Sequence, residues 1–118
     1  MIRSFRDLEV YQESYQLALQ VYSAVRTYPL EERYGLTSQI QRAAVSIPAN
    51  LAEGFGKKES AAEFRRYVRI AMGSSNEMEV LLSLSNDLGY LSESIAYELI
   101  EKYIIVQKKL YNLAQKWE

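Results

Sequence analysis

The chain of 118 residues contains neither histidine nor cysteine. It therefore has no imidazole to act as a general base near neutral pH and no Glu-x-x-His pair of the kind that holds two metals in ferritin-like bundles. It also has no thiolate to serve as nucleophile, zinc ligand or half of a disulfide. Glu53 and Glu77 remain as carboxylates for acid–base work, but nothing in their spacing brings them together or raises the pKa of either. The run Gly54-Phe55-Gly56-Lys57-Lys58 has the glycines and lysines of a phosphate cradle. It is too short for a Walker loop and lacks the Ser/Thr position, so it reads as a flexible turn. These residues point away from catalysis, with no cofactor and no metal expected, and towards binding.

Two constellations are suited to binding. Lys57, Lys58, Arg65, Arg66 and Arg69 crowd into thirteen residues against Glu59 and Glu63. That is a local positive patch able to take phosphate groups, or else a solvated helix face pairing with its neighbours. From Glu77 to Glu101 the charges Glu77, Glu79, Asp87, Glu93, Glu98 and Glu101 are all acidic, so the chain is electrically two-ended. With a net charge of −1 there is no global attraction to nucleic acid, and any such contact has to be local. The second constellation is Gln39, Arg42, Ser46, Asn50 and Glu53, which follow one another at steps of three and four. On a helix they share an arc of about 80° beside the apolar line Ile40, Ala43, Ile47 and Leu51. Half-buried polar groups must find partners. The stripe is either a hydrogen-bonded network, joining Arg42, Asn50 and Glu53, that fixes helix register or a surface for a ligand or RNA.

These residues are positioned by four helical stretches, because apolar residues recur at helical spacing and none alternate as in a half-buried strand. Leu8, Tyr11, Tyr15, Ala18, Tyr22 and Val25 predict a first helix over 7–27, stopped by Tyr28-Pro29. Thr37 or Ser38 is placed to cap a second, with Ser38 and Gln41 spaced as a capping box, and it should kink at Pro48 and end near Gly54. Ser60 and Glu63 form another box before a third helix, whose seam is Phe64, Tyr67, Ala71, Ser74, Met78, Leu81, Ser85 and Leu88, with Gly89 just beyond its end. Ser92 caps the fourth, whose seam is Leu99, Tyr103, Val106, Leu110, Leu113 and Trp117. Short connections favour a single all-α domain over 1–118, an up-down-up-down four-helix bundle.

That bundle has apolar residues to spare. Val10, Leu17 and Val21 on the first helix, and Ile100, Ile104 and Tyr111 on the fourth, lie off the two seams. They are either wide shoulders of the core or an oligomer interface, since contiguous exposed apolar patches mark association. The absence of cysteine, of an apolar leader core and of any apolar run near 18 residues predicts a cytoplasmic protein with no membrane contact.

The run Tyr34-Gly35-Leu36-Thr37-Ser38-Gln39-Ile40, then Arg42-Ala43-Ala44, Ser46-Ile47-Pro48-Ala49-Asn50 and Ala52-Glu53-Gly54, resembles the four-helix-bundle family of 23S ribosomal RNA intervening-sequence proteins. Ile70-Ala71, Gly73-Ser74, Glu77 and the opening Phe5-Arg6-Asp7-Leu8-Glu9-Val10-Tyr11 carry the same resemblance over nearly the whole chain. It implies a bacterial protein whose bundles assemble into a ring of five, with a more distant likeness to the accessory proteins of diversity-generating retroelements. The expectation is a non-enzymatic, homo-oligomeric protein whose partners are itself and RNA or a nucleic-acid-processing protein. The alternative is a protein–protein scaffold that binds no nucleic acid.

Overall fold

A computed structural model describes residues 2–117. Four helices follow in order: α1 Glu9–Ala24, α2 Leu36–Phe55, α3 Ala61–Asp87 and α4 Glu93–Lys116. Short 3-10 turns lie at Phe5–Asp7, Val25–Thr27 and Leu30–Glu32. No strand occurs among the described residues, and the molecule is a rod of 44 × 24 × 19 Å. None of these helices is long and apolar enough to cross a membrane.

Most helix ends follow their local chemistry. Ser60 Oγ accepts from Glu63 N at 3.2 Å and Ser92 Oγ from Ile95 N at 3.3 Å, each satisfying one free N–H of a first turn. The Glu63 carboxylate turns to Arg66 instead of returning to the cap, so only half of that capping box forms. Beyond α3, Gly89 takes φ +82°, with Gly89 N bonded to Asn86 O and Tyr90 N to Ser85 O. This is a Schellman ending, in which the left-handed residue carries no Cβ. The start of α2 differs from expectation. Neither Thr37 nor Ser38 caps it; Glu32 Oε1, from the preceding turn, accepts from Leu36 N at 3.2 Å. A Cβ on Gly35 would lie 2.9 Å from that oxygen, so the glycine makes room for the capping carboxylate.

The buried face of α1 is also corrected. Val10, Leu17 and Val21, expected off the seam, are 5%, 3% and 0% exposed and form the core with Ser14 and Ala18. Tyr15 and Tyr22 stay outside. Two apolar stripes compete for the interior on this helix. The all-carbon Val/Leu stripe with small Ser14 and Ala18 fits between neighbours, whereas burying the tyrosines would oblige each hydroxyl to find a partner. On α3 the buried residues Phe64, Val68, Ala71, Ser75, Met78, Leu82 and Ser85 keep an unbroken four-three spacing that differs from the expected seam by one position at every second place, with Leu81 also buried, Tyr67 and Ser74 half-buried and Leu88 exposed. On α4, Leu99, Tyr103, Val106 and Leu110 are buried as expected, with Leu113 and Trp117 half-buried against them.

Both connections α1–α2 and α3–α4 lie at one end, where the Tyr28 and Tyr90 rings meet at 5.5 Å and Tyr90 Oη donates to Glu32 Oε2 at 3.0 Å. At the other end α2 turns into α3 against the C-terminus, with Trp117 stacked 4.2 Å from Phe64 and 6.3 Å from Phe55.

Candidate nucleic-acid interface

The turn joining α2 to α3 is built by Lys57 N donating to Gly54 O at 2.9 Å and Lys58 N to Phe55 O at 3.2 Å. Both lysines are exposed at this end of the rod. Lys58 Nζ lies 4.6 Å from the Phe55 ring centre and Lys57 Nζ 5.7 Å from that of Tyr67, while the Arg66 guanidinium covers Tyr67 at 4.6 Å. Cations over aromatic faces are attracted by the ring quadrupole and keep their charge available to an anion. Tyr67, between two cations, is a member of this surface that its seam-like spacing concealed.

The five basic residues are not equivalent. Arg65 Nη1 donates to the Trp117 carbonyl at 2.6 Å, satisfying a free carbonyl at the negative end of α4, so it holds the C-terminus and is only half exposed. Arg66 pairs with Glu63 at 3.1 Å, which holds that carboxyl below the usual carboxylate range. Lys57, Lys58 and Arg69 have no carboxylate partner among the described residues, and all three are exposed. The phosphate-binding capacity lies in these three, with Arg66 next.

The polar stripe on α2 divides as well. Ser46 Oγ and Ser74 Oγ lie 2.8 Å apart across the α2–α3 seam, and Asn50 Nδ2 donates to Ser46 O at 2.7 Å and to Ser46 Oγ at 2.9 Å. The register-fixing network is thus Ser46–Asn50–Ser74. The expected Arg42–Asn50–Glu53 network does not form, because Arg42 and Glu53 point outward, exposed and without hydrogen bonds from their side chains among the described residues. Gln39, Arg42, Ala43, Ser46, Ser74 and Glu77 line a shallow cleft of about 270 Å³. Ser74 and Glu77 come from α3, and only the folded helix pair brings them to the stripe. Further along the same seam a Cβ on Gly54 would stand 2.6 Å from Tyr67 Cβ, so α2 and α3 approach closely at this glycine.

Of the residues expected at an oligomer interface, Val10, Leu17 and Val21 are inside the bundle, Ile100 and Ile104 are half-buried, and Tyr111 is exposed. Tyr111 belongs to a wider uncovered apolar surface that includes Tyr15, Leu19 and Tyr22 on α1, Ile70, Val80 and Leu84 on α3, and Ile95, Tyr97 and Ile105 on α4.

Two comparisons with known proteins bear on these features. One solved structure is that of a protein of unknown function from the S23 ribosomal protein family of Bacteroides thetaiotaomicron. It superposes with a TM-score of 0.81 at 23% identity, over 91% of this chain and 96% of that one, and shows the fold to be shared. No curated protein matches the chain significantly. The model of the 23S rRNA-intervening sequence protein family matches residues 6–112, and the chain belongs to that family.

Proposed function

We propose that the protein is a non-enzymatic, homo-oligomeric binding protein of the cytoplasm that associates with RNA or a ribonucleoprotein through the basic end of its bundle. The observation that carries this reading is the cluster of Lys57, Lys58 and Arg69, exposed and free of carboxylate partners beside the cation-flanked Tyr67. A family named for sequences within 23S rRNA supports the choice of RNA. Because the net charge is only −1, attraction is confined to this end and binding falls steeply with salt. Titrating a structured RNA across salt concentrations tests it: a log–log slope near −0.9 per duplex phosphate neutralised, or about −0.7 on single strands, is expected. No binding at low salt refutes it.

Self-association is supported by the fifteen large apolar side chains left exposed among the described residues of the single chain. The resemblance implies five copies, which would repeat the basic end around a ring and add avidity. Light scattering coupled to size exclusion decides this: a monomeric mass at micromolar concentration refutes association, and a dimer or tetramer refutes only the number five. A second reading, a protein scaffold without nucleic acid, is favoured by Leu30 and Tyr34. They are 86% and 88% exposed on the α1–α2 connection, at the end away from the basic cluster.

A further inference from the structure

The cleft between α2 and α3 has a chemistry unlike that of the basic end. Its rim carries a guanidinium, Arg42, and a carboxylate, Glu77, neither of which has an ion-pair partner among the described residues although both line the same space. Its floor is the Ser46–Ser74 hydroxyl pair. Asn50 Nδ2 donates to Ser46 Oγ, and either hydroxyl can donate to the other, so whichever of the two accepts keeps its own proton free. The cleft thus offers a rigid donor fork, a hydroxyl donor, the amide of Gln39 and an acceptor-only carboxylate. A phosphate would meet the fork but be repelled by Glu77. A flat group of low net charge, carrying acceptors on one edge and donors on the next, satisfies both.

We propose that this cleft takes a single unpaired guanine base of RNA, with Arg42 donating to O6 and N7 and Glu77 accepting from N1–H and the N2 amine. The proposal rests on the RNA reading of the basic end and extends it. Arg is the commonest bidentate partner of the guanine O6/N7 edge, and sequence-specific RNA recognition works mainly on unstacked bases read at both edges. The volume of about 270 Å³ falls just under the ~300–1,000 Å³ of sites for drug-sized ligands, and so suits one ring system and not a nucleotide cofactor. Position agrees: Ser74 lies two turns along α3 from Tyr67, on the same side facing α2, so cleft and cations are separated by about 10 Å. A strand whose phosphates sit on Lys57 and Arg66 reaches the cleft with the next base or two.

The test is fluorescence anisotropy at low salt with labelled single-stranded U-rich hexamers carrying one central G, A or inosine. The unmodified chain is compared with Arg42→Ala, Glu77→Ala and Lys57→Ala/Lys58→Ala, all exposed positions at which the fold should survive. The G hexamer should bind about tenfold more tightly than the A hexamer, with inosine, which lacks the N2 amine, between them. Arg42→Ala and Glu77→Ala should each erase the preference, whereas the double lysine variant should weaken all three hexamers alike. Lysine-dependent binding without a G preference, or with one indifferent to Arg42 and Glu77, overturns the cleft assignment and leaves the basic-end reading standing. Failure of every hexamer to bind overturns both. An Arg42→Ala variant that keeps the G preference but changes oligomeric mass assigns the cleft to a contact between subunits and overturns it as a base site.

Discussion

Along the α2–α3 seam the backbones approach until a Cβ on Gly54 would stand 2.6 Å from Tyr67 Cβ, and two serine hydroxyls bond across the gap at 2.8 Å. Along the α1–α4 seam the helices stand apart over a groove of about 390 Å³, lined by Gln12, Gln16, Gln20, Leu17, Ile105 and Lys102 among others. Long side chains reach over it: Lys109 Nζ lies 2.6 Å from both Glu9 and Glu13, and Lys102 Nζ donates to Gln20 at 2.9 Å. One seam closes by removing side-chain atoms and the other by extending them. The close seam ties Ser46, Asn50 and Ser74 together by hydrogen bonds at its floor, whereas the open seam relies on exposed ion pairs worth little each. The same helix pair that carries the basic end therefore has the more closely packed seam.

The largest effect is expected on the core side of the open seam. Leu17 is 3% exposed beside the groove, so Leu17→Asp puts an unpaired carboxylate into the bundle. It should cost several kcal/mol and abolish the cooperative helical melt. A folded but dissociated variant would mean that Leu17 faces another subunit after all.

Next in size is the close seam. Gly54→Ala must push Tyr67 away and should destabilise by about 1–3 kcal/mol in denaturant titration. Gly73→Ala, on the same helix pair but with no atom within 4 Å of the new Cβ, should stabilise by about 0.5–1 kcal/mol. Equal effects would mean that Gly54 is not the point of contact.

The smallest effect belongs to the clamp over the open seam. Glu13, then Glu9, raise the pKa of Lys109 above its ordinary 10.5. A raised lysine pKa contributes stability that is complete below the unfolded value and lost as pH rises through the folded one. Lys109→Ala should therefore cost about 0.5 kcal/mol near neutrality, discounted because the pair is partly exposed, and the difference from the unmodified protein should vanish as pH climbs past 10.5. A difference that persists at high pH would assign the cost to the packing of the lysine stem.

The four helices and their order were legible from the sequence, as were the caps at Ser60 and Ser92 and the ending at Gly89, because each depends on residues within a turn or two. The cap at Leu36 was not: its carboxylate comes from Glu32 in a separate 3-10 turn, and only the spacing of Ser38 and Gln41 was visible. The buried side of α1 was not legible either. Val10, Leu17 and Val21 compete there with a tyrosine stripe of the same period, and the choice depends on what faces the helix. In the candidate site the cations could be read because they are near neighbours in the chain. The Ser46–Ser74 pair and the sharing of one cleft by Arg42 and Glu77 are tertiary, joining residues far apart in sequence, and Tyr67 meets Lys57 only because the α2–α3 turn folds the chain back.

The most direct measurement is the salt dependence of RNA affinity for two matched variants. One removes Lys57, Lys58 and Arg69 at the basic end, and the other removes the exposed Arg26 and Arg33 at the opposite end, each by substitution with alanine. Phosphate binding at the basic end predicts that the basic-end variant loses most of the affinity, and that its log–log slope shrinks by about 0.7–0.9 for each phosphate that is no longer neutralised, while the opposite-end variant behaves as the unmodified protein does. Equal losses in the two variants, or an unchanged slope in the first, would contradict it.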